Sequence, residues 1–199
     1  LIIDFYSLHV SKIIHLDIKP DNIIIKLKSN FDLNMLNDIT QEELNNLKII
    51  EQVIYIDYGL SCYKICNAGG TLLYMAPEML KLLGKDDNLS YEFSAKCDIY
   101  SLGIVFYYIL NMELPINGDY TIYYLYKMLE KNKISSLSSL KYSEEIRTFI
   151  DNYDDLIDNM IIFNPKQRFS INKVYRFIKR NNLSIFTPSP SRQRTENSF

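Results

Sequence analysis

The chain has 199 residues, enough for one domain or a large lobe with a real hydrophobic core. Its apolar share of 47% is that of an ordinary globular protein, and a net charge of −2 gives no electrostatic reason to expect nucleic acid or an anionic membrane as a partner. Three cysteines, Cys62, Cys66 and Cys97, with no Cys-x-x-Cys pair among them, predict free thiols in a reducing, intracellular (cytoplasmic) setting, and with only His9 and His15 as imidazoles a zinc site is the weaker reading.

The chain opens inside an apolar periodic segment. Ile3, Tyr6, Val10 and Ile13 recur near helical spacing, so a helix is expected there. A start at Leu1, with no secretory signal, reads as a piece cut from a longer protein. A polar turn follows over residues 17–22, with Pro20 in it. Residues 23–25 and 53–56 are β-branched runs, read as two buried strands. The Asn-rich stretch between them, about 29–50, is expected to be a surface insertion in which Thr40 and Glu43 form a capping box for a short helix. Residues 60–75 carry Gly69 and Gly70 without a clear period and read as a loop. Residues 94–110 read as a central buried helix; the apolar run 99–112 is too short to span a bilayer and contains Ser101 and Gly103. Ile122, Leu125, Met128 and Leu129 mark the next helix. Ile146, Phe149, Ile150 and Tyr153 mark another, with Ser143 as its cap, and Leu156, Ile157, Met160 and Ile161 extend it. Ser170 can cap a last helix with Ile171, Val174, Phe177 and Ile178 on one face. Residues 182–199, rich in Ser, Pro and Arg, are expected to be a disordered tail.

Chemistry concentrates in His15-Leu16-Asp17-Ile18-Lys19-Pro20-Asp21-Asn22. Phosphoryl transfer asks little covalent chemistry of a protein. It needs a carboxylate for the hydroxyl proton, a cation near the moving phosphoryl group and oxygen ligands for Mg²⁺. Asp17, Lys19 and Asn22 offer all three within six residues. On this loop alone, Asp and Asn chosen for turn geometry stay an open alternative. Asp57-Tyr58-Gly59, at the end of a strand, offers a second carboxylate to a divalent ion. Gly70-Thr71-Leu72-Leu73-Tyr74-Met75-Ala76-Pro77-Glu78, then Asp98-Ile99-Tyr100-Ser101-Leu102-Gly103, then Asn164-Pro165-Lys166-Gln167-Arg168 complete the set.

In this order the five elements resemble the catalytic loop, metal-binding triad, activation-segment end, central helix and late arginine of the protein kinase family. The resemblance covers residues 1 to about 180, and His9, six residues before His15, also fits. It implies an α+β fold: the mainly helical C-terminal lobe of a protein-kinase-like domain (1–181), with a short β-hairpin-like pair beside the catalytic loop. It implies ATP and Mg²⁺ as cofactors and a protein substrate. It gives Asp17 as catalytic base, Lys19 as the cation on the γ-phosphate, Asn22 and Asp57 as metal ligands, and Thr71 as the seat of the substrate hydroxyl. Asp98 would hold the catalytic loop backbone, Glu78 would pair with Arg168, and His15 would be structural. Lys19 and Gly70-Thr71 resemble the serine/threonine branch. Leu16 stands where many members have arginine, Tyr58 replaces the usual Phe and Tyr100 the usual Trp. No glycine-rich phosphate loop and no ATP-anchoring lysine are present, so the N-terminal kinase lobe is a missing partner, and this chain alone is expected to be inactive. A pseudokinase scaffold is the alternative of a different class, and a small-molecule phosphotransferase a third.

Overall fold

The computed structural model describes residues 2–29, 50–83, 90–116, 118, 121–131 and 153–181. Helix α1, Ile2–Val10, leads through residues 11–19 to a single 3-10 turn, Pro20–Asn22, whose missing Pro20 N–H costs nothing at a helix start. Strand β1 (Ile23–Leu27) pairs antiparallel with β2 (Ile50–Tyr55), with Ile23 opposite Tyr55 and Ile25 opposite Val53. The two strands were expected to be buried; instead only β2 buries side chains in the core. Val53 and Tyr55 are buried, while Ile24 and Ile25 of β1 and Ile54 of β2 are exposed. A β-branched run marks strand propensity and not two-faced burial.

The stretch read as a plain loop over 60–75 holds more structure than that. Strand β3 (Ile65–Asn67) pairs antiparallel with β4 (Ser90–Glu92), and a 3-10 turn covers Leu72–Tyr74. A three-residue strand is too short to show alternation in sequence. Nor are all three cysteines free thiols. Cys62 and Cys66 are joined by a disulfide, with Cα atoms 5.8 Å apart, because the chain reverses between an isolated β-bridge at Cys62 and β3. Cys97 is free and buried; its thiol donates to the Ser94 carbonyl, and burial pushes its pKa up.

Helix α2 (Pro77–Leu80) precedes the long α3 (Lys96–Asn111), which is buried without a break from Cys97 to Tyr107. Helix α4 (Ile122–Glu130) is capped by the Thr121 hydroxyl oxygen, which accepts from the Tyr124 N–H. Helix α5 covers 153–160, and α6 (Ile171–Arg180) buries Ile171 and Val174 and packs Tyr175 on Tyr6 of α1; Ser170 holds its N-cap position in an extended conformation, but its side chain makes no cap hydrogen bond. Helix α3 runs through the core. A Cβ at Gly103 would stand 2.7 Å from Ile161 Cγ2 and 2.9 Å from Met160 Cβ, so the α5 end packs on α3 at a contact only glycine allows. Among the described residues no helix is long and apolar enough to cross a membrane. The capping box at Thr40, the Ser143 cap with the period from Ile146 to Ile150, and the tail from 182 lie outside the described residues.

Candidate active site

The loop that carries Asp17 is held from the core outward. Asp98, in the first turn of α3, is fully buried. Its Oδ2 accepts the His15 N–H at 2.8 Å and its Oδ1 accepts the Leu16 N–H at 2.8 Å. His9, at the end of α1, places Nε2 3.0 Å from the same Oδ2. Leu16 is buried and adopts φ 70°, a left-handed conformation that costs a non-glycine residue about 1–2 kcal/mol. Hydrogen bonds to a charged acceptor contribute roughly 1.5–3 kcal/mol each, so the Asp98 pair outweighs that cost. His15 is buried as well, with Nδ1 accepting the Asp17 N–H at 3.4 Å and Nε2 lying 3.0 Å from the Ile56 carbonyl. That pattern assigns the proton to Nε2. Tyr58 packs its ring against His15, centroids 4.8 Å apart.

Asp17 collects four donors. Oδ1 accepts the Thr71 N–H at 2.9 Å and the Thr71 hydroxyl at 2.8 Å. Oδ2 accepts Asn22 Nδ2 at 3.0 Å and has Lys19 Nζ at 3.3 Å. The same Lys19 ammonium donates to Thr71 Oγ1 at 3.0 Å. Partial burial by itself raises the Asp17 pKa, but the Thr71 hydroxyl, Lys19 and the Thr71 N–H together outweigh it and hold the carboxyl below its ordinary value. Gly70 makes the approach possible. Its φ is 126°, and a Cβ there would meet the Leu16 carbonyl oxygen at 2.6 Å.

Asn22 is buried and spends its Nδ2 on Asp17, on both the carbonyl (2.8 Å) and Oδ2, which leaves its side-chain oxygen for other work. The Asn22 carbonyl accepts the Ile56 N–H at 3.0 Å, so the β1–β2 pairing brings Asp57 to the same end of the ribbon. Asp57 is exposed, has φ 60°, and accepts the Gly59 N–H at 3.3 Å. Among the described residues no three His, Cys, Asp or Glu side chains cluster as a metal cage. Mg²⁺ needs no such cage, since it binds through one or two protein oxygens together with phosphates and waters. The donor set of Asn22 and Asp57 fits that habit.

A second ionic centre lies deeper. Arg168 has a fully buried side chain and pairs bidentately with Glu78, Nη1 to Oε1 at 2.7 Å and Nη2 to Oε2 at 2.9 Å. Its other donors reach the carbonyls of Ile162, Lys96 and Phe163, and its guanidinium lies 5.0 Å from the Tyr100 ring centroid. Burial pushes the Tyr100 hydroxyl pKa far up. Lys96 adds a clasp by donating Nζ to the Pro165 carbonyl at 2.7 Å.

The structure therefore gathers Asp17, Lys19, Asn22 and Thr71 into one hydrogen-bonded group and sets Asp57 beside Asn22. His15 and Asp98 lie behind it, and Glu78 with Arg168 forms a separate centre. Sequence reasoning did not find Lys96 or Ser61, whose hydroxyl donates to the His15 carbonyl at 3.3 Å. Neither sits in a pattern of residue types that would mark it.

Comparison with known proteins identifies the family. The family model described as "Protein kinase domain" matches residues 4–177. Calcium-dependent protein kinase 4 of Plasmodium falciparum is 29% identical over 196 residues, covering 92% of this chain and 30% of that protein. Serine/threonine-protein kinase RAD53 of Saccharomyces cerevisiae is 32% identical over 160 residues (72% of this chain, 16% of that protein), and serine/threonine-protein kinase cds1 of Schizosaccharomyces pombe 32% over 173 (82% and 30%). The Cydia pomonella granulovirus kinase PK-1 superposes with a TM-score of 0.58 at 17% identity, over 88% of this chain and 54% of that one, a likeness of fold. The chain belongs to the protein kinase family, with serine/threonine kinases among its relatives, and it spans less than a third of the length of these curated relatives.

Proposed function

We propose that this chain is the C-terminal, catalytic lobe of a serine/threonine protein kinase that moves the γ-phosphoryl group of ATP to a protein hydroxyl inside the cell. In this reading an N-terminal lobe of the parent protein supplies the glycine-rich loop and the ATP-anchoring lysine. The observation that carries it is the Asp17–Lys19–Asn22–Thr71 group, four side chains of the required chemistry within hydrogen-bond reach of one another.

Magnesium-bound ATP would supply the transferable phosphoryl group, the cation offsetting the negative charge of the phosphates. Asn22 and Asp57 would hold the metal through their side-chain oxygens. Asp17 orients the substrate hydroxyl and takes its proton at a carboxylate oxygen. A carboxylate offers about four lone-pair sites, and here four donors already occupy them. One must leave when substrate arrives. Two can. The Thr71 hydroxyl is a free rotor, and Lys19 has a better anion to meet once the phosphate is present. The Thr71 N–H and Asn22 stay, because backbone and a buried amide hold them. The low pKa of Asp17 keeps it ionised, so it serves as an orienter that accepts the proton late in transfer.

The pseudokinase alternative shares the fold and lacks transfer. The test is to extend the chain N-terminally to include the upstream lobe and assay Mg²⁺-dependent transfer from radiolabelled ATP to basic and acidic protein substrates. The reading expects transfer that EDTA abolishes, with the 199-residue chain inert. ATP binding without transfer in the extended protein would favour the scaffold.

A further inference from the structure

We propose that Cys62 and Cys66 form a reversible thiol–disulfide switch that sets the order of the segment delivering Thr71 to Asp17. Between Asp57 and Thr71 the backbone is tied down at two places. Cys62 and Ile14 exchange both N–H···O bonds, at 2.8 and 2.9 Å, one residue ahead of His15. Further on, β3 pairs with β4, and the Phe93 N–H donates to the Lys64 carbonyl at 3.0 Å. The first tie is a single bridge and the second a three-residue pairing, and short two-stranded pairings are marginal in water by themselves. The disulfide joins the two ties covalently, because Cys62 sits in the bridge and Cys66 in β3. The chain it closes is otherwise loosely held. Tyr63 is 73% exposed, Ile65 is 68% exposed, and the Lys64–Glu92 ion pair is exposed at both ends. An exposed pair of that kind contributes little order.

Cys66 is buried, whereas Cys62 is half-buried beside exposed Tyr63, so a small thiol reaches the bond from the Cys62 side. The thiolate of a low-molecular-weight thiol attacks Cys62 Sγ. The S–S bond breaks, and Cys66 leaves as a thiolate and takes a proton. A second thiol then displaces Cys62 from the mixed disulfide. Two thiols are oxidised to one disulfide, and the protein gains two electrons and two protons. In a reducing compartment a bond of this kind is transient and regulatory in use, not a permanent staple. Oxidation closes the clamp and holds Gly70-Thr71 against Leu16 and Asp17; reduction loosens it. The consequence for catalysis rests on the proposed roles of Asp17 and Thr71, but the ordering does not.

The experiment uses the 199-residue chain, equilibrated with oxidised or reduced glutathione. Alkylation without reduction, read by mass spectrometry, reports the bond, and amide hydrogen exchange of peptides covering 58–71 reports order, with the α3 peptide as internal reference. The expected result is that oxidation protects Cys62 and Cys66 from alkylation and slows exchange over 62–71 by about tenfold (roughly 1.4 kcal/mol in opening equilibrium), with α3 unchanged. The Cys62→Ser/Cys66→Ser protein should exchange like the reduced form and ignore glutathione; Cys62→Ser alone, which leaves the buried thiol in place, should do the same. Two alkylated thiols after oxidation, equal exchange in both forms, or a redox response surviving in either variant would each overturn the proposal. Transfer activity is not read, so an inactive protein leaves the result standing.

Discussion

Two ionic groups in this chain use the same chemistry to opposite ends. At the Glu78–Arg168 centre all five guanidinium N–H donors are spent, three of the five bonds going to backbone carbonyls that the fold fixes, and the side chain has no solvent exposure. At Asp17 the four donors come largely from side chains, and Lys19 keeps 24% of its side-chain surface in water. A guanidinium satisfied by backbone is locked. A carboxylate satisfied by a rotor and a flexible ammonium can change partners. The first centre ties α2, the start of α3 and residues 162–168 together; the second stays ready for exchange.

The comparison breaks most visibly at Arg168. Arg168→Ala strands the Glu78 carboxylate and three carbonyls, and loss of one partner of a buried pair costs roughly 3–5 kcal/mol. Glu78→Ala belongs at the lower end of that range, because Glu78 keeps 23% of its side chain exposed and water can reach the site. Urea titration of this chain checks both; unchanged midpoints would mean that the centre is not structural. Arg168→Lys should remain destabilised, since an ammonium cannot reproduce a planar five-donor fork.

Next in size is Gly103→Ala. The added methyl falls within 3 Å of Ile161 and Met160, and overpacking of this kind costs about 1–3 kcal/mol. A melting temperature at or above that of the parent would show that α5 shifts freely on α3.

The smallest effect sharpens the picture at Asp17. Its pKa is held below 3.8, so the stability it contributes is fully present above the unfolded value and is lost as pH falls through the lower folded one. Thr71→Val removes the largest of the lowering contacts and should move the Asp17 titration upward, with the midpoint read by carboxyl-carbon NMR. An unmoved midpoint would mean that Lys19 and the Thr71 N–H set it without the hydroxyl.

The parts of this design that sequence reveals are those with a fixed spacing. Asp17 and Asn22 are five residues apart in one turn, Gly70 precedes Thr71, and Asp98 opens a helix whose apolar positions announce its burial. What spacing cannot carry is closure between distant short pieces. The β3–β4 pairing joins two three-residue strands across the 22 positions from 68 to 89, and neither has room to show a period. The Cys62–Cys66 bond escaped for the same reason, since four residues apart is compatible with several geometries and only the chain reversal between the Ile14 bridge and β3 brings the sulfurs together. Lys96 was silent because a lysine at a helix start is an ordinary surface residue until the loop of residues 163–168 folds over it.

The central claim is that Asp17 works on substrate while the fold rests elsewhere. Asp17→Ala in the N-terminally extended protein tests it, with transfer rate and melting temperature measured on the same sample. The account predicts a rate lower by about 10²–10⁴-fold with the melting temperature changed by no more than a few degrees. Transfer at the parental rate, or loss of transfer that comes only with an unfolded protein, would contradict it.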